Sequence, residues 1–422
     1  MNYQKYDMTS YNLHLINTNK FKQIRVSVRF RTAIKKEEIT IRNFLQNILI
    51  NSSFDYKTTR KLVKQSENLY DLKVSSKTQR VGNCSILSFD MAFLNEKLTE
   101  DGMLEASLLF FFGLLFKPNA SSSSFDKDTF IKVKKALAHN IMTYKDNKRL
   151  YSILMMLEKM GDLPFSYNSY GYLDDLNSID EKTLYQYYLN VLKNDVVDVF
   201  VIGEFDNDVV KNIFRENFLL KTLKRNEPSV IVKGKVSGKK VNIIKEQVSG
   251  NQSNLSIGCT LSNVSDIERK YVARIFNEIF GGYNSLLFDI VREQNSLAYS
   301  IYSDVHVYDS VLIIYAGIDA ANLDKTIKLI KKILADMEKG KFDSKLLDQA
   351  KMSILSSLDS LFDNPYSIIN DYYAKILVGA SDIDEKRQMY NAVTKEDVTR
   401  FAKKVKIDTV FLLEGVEEDE RD

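Results

Sequence analysis

The sequence has few residues of the kinds that hold metals or act as nucleophiles. Its 422 residues include two cysteines, Cys84 and Cys259, and three histidines, His14, His139 and His306. The cysteines are too few and too far apart for a disulfide framework or a local zinc knuckle, so we expect two buried thiols. No histidine has another within helical reach, which excludes an HExxH or inverted HxxEH zinc pair. We interpret all three histidines as structural residues.

Several other functional signatures are also missing. The sequence contains no GxSxG elbow for a serine nucleophile and no GxGxxG that opens a nucleotide-binding helix. Its longest apolar run, Leu108 to Phe116, is about half of a membrane span and includes a glycine, so it predicts a buried helix. The first residues lack the apolar core of a secretory signal. We therefore expect a cytoplasmic protein with no membrane partner.

The composition is typical of a globular chain. Hydrophobic residues make up 44% and charged residues 27%, and 59 basic against 56 acidic residues leave a formal net charge of +3. This balance gives no reason to expect a nucleic acid partner. A chain of this length is too long for one ordinary core, so two or more domains are expected.

The two halves of the sequence end in the same way. Residues Ser178 to Phe205 predict a capped amphipathic helix followed by an apolar strand with a closing glycine, and Thr394 to Val416 repeat that order. Ser178 and Thr394 are the predicted helix caps, because acidic residues follow each of them in the first turn. The pattern predicts a rough duplication.

Each half also begins with strand-like sequence. In the first half Ile24, Val26, Val28 and Phe30 alternate with polar residues, and in the second half Asn254 to Leu261 has strand character. Strands at the start, helices in the middle, and a closing helix and strand predict an α+β domain that is built twice.

A lysine-rich segment separates the two halves. Residues 221–240 contain Pro228, Gly234 and Gly238, a composition that indicates a partly extended linker. We therefore predict an N-terminal domain at 1–220 and a C-terminal domain at 241–422.

The stretch from Phe280 to Ser303 combines features that suggest a site. Gly281 and Gly282 form a flexible pair, followed by a helix that Arg292 is predicted to close and by a strand that carries Tyr299. In this arrangement the guanidinium and the phenol could converge on one cleft. The alternative is a surface arginine and a core tyrosine.

This stretch resembles a signature in the C-terminal domain of the pitrilysin/insulinase superfamily of zinc peptidases. There a glycine-rich segment precedes an Arg and a Tyr seven positions apart, which is the spacing of Arg292 and Tyr299. The neighbours Leu297, Ala298 and Ser300 fit as well. The resemblance extends over essentially the whole chain, because the family is a tandem of related α+β domains. It implies two homologous domains, each a mainly antiparallel β-sheet covered by helices, that form a clamshell-like half chamber.

The N-terminal half departs from the family at the zinc motif. Active members carry HxxEH on a helix, and here Asn43, Gln46 and Asn47 occupy the positions of His, Glu and His. Neutral amides are poor zinc ligands, and a glutamine cannot take a proton from water. The segment that matches the helix of the third ligand, Phe130 to Met142, contains no acid. We therefore expect no metal in this chain and no zinc peptidase activity from the chain alone.

The resemblance is to the non-zinc subunit of the two-chain members of this superfamily, and more narrowly to one bacterial group of such proteins. It implies a zinc-bearing partner chain, with zinc as the partner's cofactor, and a peptide substrate. Arg292 and Tyr299 would act in trans as the catalytic residues of this chain, with Tyr299 donating to the oxyanion. Gly281 and Gly282 would bind the substrate backbone.

Two other functions remain open. The chain could be a catalytically inert pseudo-peptidase that acts as a scaffold for another protein, or it could bind or carry peptides in the chamber between its halves. Substrate identity cannot be read from the sequence, because such pockets are assembled from distant segments.

Overall fold

The computed structural model describes residues 1–220, 227–232 and 240–416, so most of the predicted linker at 221–240 lies outside the described residues. The chain divides into two compact units. The first contains residues 1–143, the described residues within 169–229, and 364–370, whereas the second contains residues 144–168 and the described residues within 230–363 and 371–416. Each unit therefore includes a short segment from the opposite half of the sequence.

Strands and helices are numbered in chain order. The strands are β1 Asn2–Asp7, β2 Asn12–Asn17, β3 Gln23–Ala33, β4 Lys73–Val81, β5 Cys84–Leu94, β6 Ala120–Ser121, β7 Ser124–Phe125, β8 Val196–Gly203, β9 Asn242–Ser249, β10 Ser253–Leu261, β11 Ser300–His306, β12 Val311–Ile318 and β13 Val405–Val416. The α-helices are α1 Ile39–Leu49, α2 Thr59–Asn68, α3 Met103–Phe116, α4 Lys127–Thr143, α5 Lys148–Lys159, α6 Leu173–Ser178, α7 Glu181–Asn194, α8 Asn207–Asn217, α9 Ala273–Gly281, α10 Leu323–Met337, α11 Ser344–Asp359, α12 Pro365–Val378, α13 Ile383–Ala392 and α14 Lys395–Ala402. Two π-helical segments span Glu268–Val272 and Leu287–Gln294.

The two units contain sheets of the same topology. The first sheet has the order β1-β2-β8-β3-β5-β4 and the second has the order β9-β13-β10-β12-β11. The strands β2, β3, β4, β5 and β8 correspond in chain order to β9, β10, β11, β12 and β13. With this correspondence the two spatial orders coincide, and β1 is an additional strand of the first sheet. In both sheets the pair formed by the first and last of these strands is parallel and the other pairs are antiparallel. The predicted fold, mainly antiparallel sheets covered by helices, is confirmed.

The alternating residues of the predicted first strand face a single core. Ile24, Val26, Val28 and Phe30 all lie on β3 and are buried against the helices of the first unit. Because successive side chains of a strand point to opposite faces, the residues between them belong to the other face of the sheet. That face contains Ser27, Arg29 and Arg31, which are buried as well.

Both faces of the second sheet carry buried apolar residues. Leu412 of β13 faces the core formed by α9, α10, α11 and α14, whereas its neighbour Phe411 faces α5. Met156 of α5 and Met160, which follows α5 directly, pack over Gly258 of β10, where the Cβ of any larger residue would overlap both sulfur atoms. The segment around α5 is thus a layer of the second unit although it lies in the first half of the sequence.

The structure corrects one of the two predicted helix caps. Thr394 caps α14 and forms a capping box with Asp397, as its sequence predicts. Ser178 does not cap α7, because it is the last residue of α6; Asp180 caps α7 by accepting a hydrogen bond from the Thr183 N–H. The carboxylate two residues later therefore replaces the predicted serine.

The apolar run at Leu108 to Phe116 forms most of α3 and is largely buried, as predicted. Among the helices that the structure describes, none combines the length and the apolar character that a membrane span requires. Both cysteines are buried free thiols, and burial raises the pKa of each.

Packing of α5 against the second sheet can be tested with a pair of methionine variants. Met156 is fully buried and Met352 is 71% exposed, and both lie in helices. Met156→Ala should lower the free energy of unfolding by about 2–5 kcal/mol because it leaves a cavity beneath α5. Met352→Ala should change it by less than about 0.5 kcal/mol. Chemical denaturation measures both values, and equal losses would contradict the assignment of α5.

Candidate functional site

A π-helical segment presents Arg292 to solvent. In the segment Leu287–Gln294, Leu287 and Val291 are fully buried and hold the helix against the second core, whereas Arg292 is exposed. The helix was predicted to close at Arg292, but it continues for two more residues. The guanidinium carbon of Arg292 lies 4.9 Å from the centroid of the Phe288 ring, and its Nε lies 3.6 Å from Glu293 Oε1.

A tight turn connects this segment to the strand that follows. The Ser296 N–H donates to the Arg292 carbonyl at 3.0 Å, and the Leu297 N–H donates to the Val291 carbonyl at 3.0 Å. Tyr299 lies one residue before β11 rather than inside it, which corrects its predicted position. Its main-chain N–H donates to the Gly317 carbonyl of β12 at 2.8 Å. This bond fixes the backbone of Tyr299 beside the end of β12.

Arg292 and Tyr299 line the same cleft. Its volume is about 460 Å³, and its lining residues are Arg292, Glu293, Ser296, Leu297, Ala298, Tyr299, Asp319 and Asn322. Tyr299 is 67% exposed, so it is not a core tyrosine. The phenol O–H and the guanidinium N–H groups are hydrogen-bond donors that an oxygen-rich ligand in this cleft could use.

Sequence reasoning missed two polar residues that also line this cleft, Asp319 and Asn322. Asp319 follows β12 directly, accepts a hydrogen bond from the Ala321 N–H and begins the short helix that ends at Asn322. Both residues reach Tyr299 because β11 and β12 are antiparallel, with Ser300 opposite Gly317. The sequence shows an apolar strand that is followed by Asp319. It does not show the pairing of β12 with β11, which brings Asp319 to the cleft of Tyr299.

The two glycines allow close packing within the second unit. Gly281 is the last residue of α9 and is buried; a Cβ there would overlap Ser303 Oγ and lie 2.5 Å from the Ser303 nitrogen. Asn277 strengthens this contact, since its Nδ2 donates to the Ser303 carbonyl at 3.2 Å and its Oδ1 accepts from Ser303 Oγ at 2.8 Å. At Gly282 a Cβ would lie 2.7 Å from the Glu278 carbonyl. A role of either glycine in peptide binding stays a prediction.

The degenerate zinc-motif positions lie on α1 in the first unit. Asn43 is buried, and its Nδ2 donates to the Ser169 carbonyl at 2.8 Å. Asn47 Nδ2 donates to the Asn43 carbonyl at 2.8 Å, one helical turn away, and Asn51 repeats the contact with Asn47. We call these three residues the amide ladder. Its side-chain nitrogens are thus occupied with main-chain carbonyls.

Gln46 occupies the position of the glutamate base and lies between Asn43 and Asn47 in the sequence. Its Oε1 is buried and has no hydrogen-bond partner among the described residues, and its main-chain carbonyl accepts from Ser76 Oγ of β4 at 3.0 Å. A carboxamide at this position cannot act as a general base, because it does not accept a proton from water.

The helix that matches the third-ligand segment packs directly on α1. Phe130 of α4 stacks on Phe44 of α1, with ring centroids 4.8 Å apart, and the buried residues of α4 are all apolar. Across the described residues, no group of three or more His, Cys, Asp and Glu side chains is arranged to hold a metal ion. The residues at these positions do not fit a zinc ion.

Comparison with known proteins relates this geometry to a family. Residues 178–354 match the family described as Peptidase M16 inactive domain. A Bacillus subtilis (strain 168) protein named "Probable inactive metalloprotease YmfF" is 27% identical over 413 residues, which cover 96% of each chain. A conserved protein from Enterococcus faecalis V583 has a crystal structure that superimposes with a TM-score of 0.91 at 25% identity and covers all of both chains.

The chain is homologous to M16 (pitrilysin-family) proteins of the inactive type. The family resemblance predicted from Arg292 and Tyr299 is therefore confirmed. The chain also matches "Uncharacterized zinc protease YmxG" of Bacillus subtilis (strain 168), at 27% identity over 67% of this chain and 69% of the relative. It is peptidase-like in fold and carries carboxamides at the positions of the zinc motif.

Substitution of the glycines tests how close α9 and β11 are in this M16 chain. Gly281→Ala should lower the free energy of unfolding by about 1–3 kcal/mol, because the added methyl group overlaps β11. Gly113 of α3 is the control, since a Cβ there meets nothing within 4 Å. Gly113→Ala should instead raise stability by about 0.5–1 kcal/mol. Thermal and chemical denaturation give the signs, and stabilisation by Gly281→Ala would refute the close packing.

Proposed function

We propose that this chain is the non-zinc subunit of a heterodimeric M16 metallopeptidase and supplies substrate contacts to a zinc-bearing partner chain. The observation that carries the proposal is a contrast between two sites. Arg292 and Tyr299 are exposed in one cleft, whereas α1 carries three carboxamides where a zinc enzyme needs two histidines and a glutamate. The donors for a peptide carbonyl are retained and the metal ligands are absent.

Tyr299 is proposed to stabilise the oxyanion of the tetrahedral intermediate. Its phenol is free to turn toward a ligand because the residue is 67% exposed while its backbone is held by the Gly317 carbonyl. One donor aimed at such an oxyanion is typically worth about 2.7–4 kcal/mol of transition-state stabilisation. The metal-activated water would be supplied by the partner.

Arg292 is proposed to hold a carbonyl or carboxylate of the substrate near the scissile bond. A guanidinium is permanently charged and has five donors in a fixed geometry. The Phe288 ring below it and Glu293 beside it restrict its orientation. Asp319, which also lines the cleft, adds a negative charge, so a peptide in this cleft meets groups of both signs.

The substrate is proposed to be an extended peptide that adds to the edge of the second sheet. β11 is the terminal strand of that sheet, so strand addition would use the backbone groups on its outer side other than the Ser303 carbonyl, which accepts from Asn277 Nδ2. Gly281 packs against Ser303 of this strand, and neither Gly281 nor Gly282 adds a side chain that would obstruct the peptide backbone.

An inert scaffold or peptide-binding protein is the second candidate function. The word "inactive" in the names of the matching family and of the Bacillus subtilis relative favours it. That description is also compatible with a chain that lacks zinc but assists another chain, so an activity measurement must separate the two functions.

The decisive experiment mixes this chain with a zinc-bearing M16 homologue encoded in the same genome and measures cleavage of unstructured fluorogenic peptides. We expect activity only in the mixture. Tyr299→Phe should lower kcat of the mixture by about 10²- to 10³-fold, because it removes one oxyanion donor. Arg292→Ala should lower kcat/KM, because a charged contact to the substrate is lost.

Matched variants outside the cleft serve as controls. Tyr70→Phe removes an exposed phenol and Arg60→Ala an exposed guanidinium, both in the first unit. These variants should retain the activity of the parent mixture. If the chain stimulates its partner equally with and without the Tyr299 and Arg292 substitutions, it is a scaffold, and efficient cleavage by the chain alone would overturn both candidate functions.

A further inference from the structure

The second unit contains another cleft that the peptidase proposal does not use. Its volume is about 450 Å³, and it lies between the helix that runs from Glu268 through α9, the end of β11 with the residues after it, and the segment that leads into α13. It shares no lining residue with the cleft of Arg292 and Tyr299. Its lining includes the cationic and aromatic residues Arg269, Lys270, Tyr271, Arg274, Tyr308 and Lys386.

A π-helical turn brings consecutive residues to this cleft. Glu268–Val272 is π-helical, and Arg269, Lys270 and Tyr271 within it all line the cleft. In a regular α-helix, three successive side chains spread over more than half of the circumference. Single π-turns are rare and occur frequently at functional sites. The other π-helical segment of this chain carries Arg292, the candidate catalytic arginine.

Two arginines of the cleft lack an acidic partner. Arg269 is half-buried, and its guanidinium donates to the main-chain carbonyls of Val264 and Val307. Arg274 donates to Ser357 Oγ at 3.0 Å. Neither guanidinium forms an ion pair with a carboxylate of the described residues. Burial lowers the pKa of the Arg269 guanidinium and outweighs the smaller opposing effects of Tyr308 and Asp266.

The other charged groups of the cleft are already engaged. Lys270 pairs with Asp266 at 2.9 Å, and Lys386 pairs with Asp371. Two acids also line the cleft: Asp304 lies 3.2 Å from His306 Nε2, and Glu278 accepts from Ser353 Oγ at 2.9 Å. Arg269 and Arg274 are therefore the cations of this cleft that form no ion pair among the described residues, and the carboxylate of Glu278 likewise forms none.

Aromatic and hydroxyl groups complete the cleft. The Tyr271 and Tyr390 rings pack edge to face, with centroids 5.3 Å apart, and the Tyr271 hydroxyl lies 2.7 Å from Ser381 Oγ. Tyr308 is partly exposed at the same cleft. Apolar ring surface next to unpaired guanidinium groups suits a ligand with an organic body and a strongly anionic end.

We propose that this cleft binds an organic phosphate monoester, with the phosphate between Arg269 and Arg274 and the organic body against Tyr308. A phosphate monoester carries a charge of about −1.5 to −2 at neutral pH, which matches two unpaired guanidinium groups. Arginine is the side chain best suited to phosphate because its planar N–H groups can bond two oxygens at once. The cleft is larger than a phosphate alone needs, which leaves room for the body.

Calorimetric titration of the full chain tests the proposal with phenyl phosphate, inorganic phosphate and benzoate as probes. Phenyl phosphate should bind with a millimolar or lower dissociation constant, inorganic phosphate more weakly, and benzoate weakest. Arg274→Gln and Arg269→Gln should each weaken phenyl phosphate binding at least about tenfold, because each removes charge-assisted hydrogen bonds. Arg60→Gln, an exposed arginine of the first unit, should leave it unchanged.

Several results would overturn the proposal: no detectable binding of phenyl phosphate at millimolar concentration, equal binding by all variants, or binding of benzoate as tight as that of phenyl phosphate. Arg269 also bonds two main-chain carbonyls, so Arg274→Gln, whose side chain is exposed, carries the test if Arg269→Gln does not fold. None of these results depends on peptide cleavage, so the outcome is independent of the proposed peptidase role.

Discussion

The contact between α9 and β11 is the constraint on which the candidate peptidase site depends. The end of α9 approaches the main chain of Ser303 so closely that no side chain fits at Gly281, and Asn277 bonds both the hydroxyl and the carbonyl of that serine. With helix and strand held together, the π-helical segment after the glycines must turn back sharply to reach the start of β11. Arg292 lies before this turn in the sequence, and Tyr299 lies after it. Their shared cleft is therefore a consequence of packing inside the second unit.

The two sheets have the same topology but differ on the face away from their main cores. In the second unit that face is apolar, because Phe411 and Leu413 of β13 meet the methionines of α5. In the first unit the equivalent face carries buried charged and polar groups: His14 stacks on Phe200 and contacts Asp198, and Arg29 donates to Asn370 Oδ1 at 2.7 Å. Buried charges stabilise little by themselves but are costly to leave unpaired, so they favour one set of neighbours over others. In each unit a segment from the opposite half of the sequence is included, residues 364–370 in the first and 144–168 in the second. Because the two faces differ in polarity, each sheet needs a segment of different character to pack on it.

Periodicity in the sequence predicts the parts of the fold that depend on local pattern. The alternation in β3, the strand β10, the buried helix α3 and the cap at Thr394 agree with the structure, because each reflects a choice made within a few residues. The cap at Ser178 was wrong because α6 ends on that serine and Asp180 is the competing acceptor two residues later. Tyr299 lies outside its predicted strand because ladder pairing with β12 begins at Ser300. Family resemblance identified Arg292 and Tyr299, whereas Asp319, Asn322 and the arginine cleft depend on contacts between distant segments that no local pattern records.

The amide ladder on α1 has a consequence for the history of this chain. Gln46 Oε1 already lacks a hydrogen-bond partner among the described residues, so a carboxylate at position 46 would place a charge where even the neutral amide is not satisfied. Histidine at position 43 or 47 would break a carbonyl contact, and the buried residues of α4, which are all apolar, offer no ligand to complete a set. Single substitutions toward a zinc motif are therefore expected to cost contacts of α1 before they complete a ligand set. The role proposed for this chain accordingly rests on side chains that act without a metal of their own.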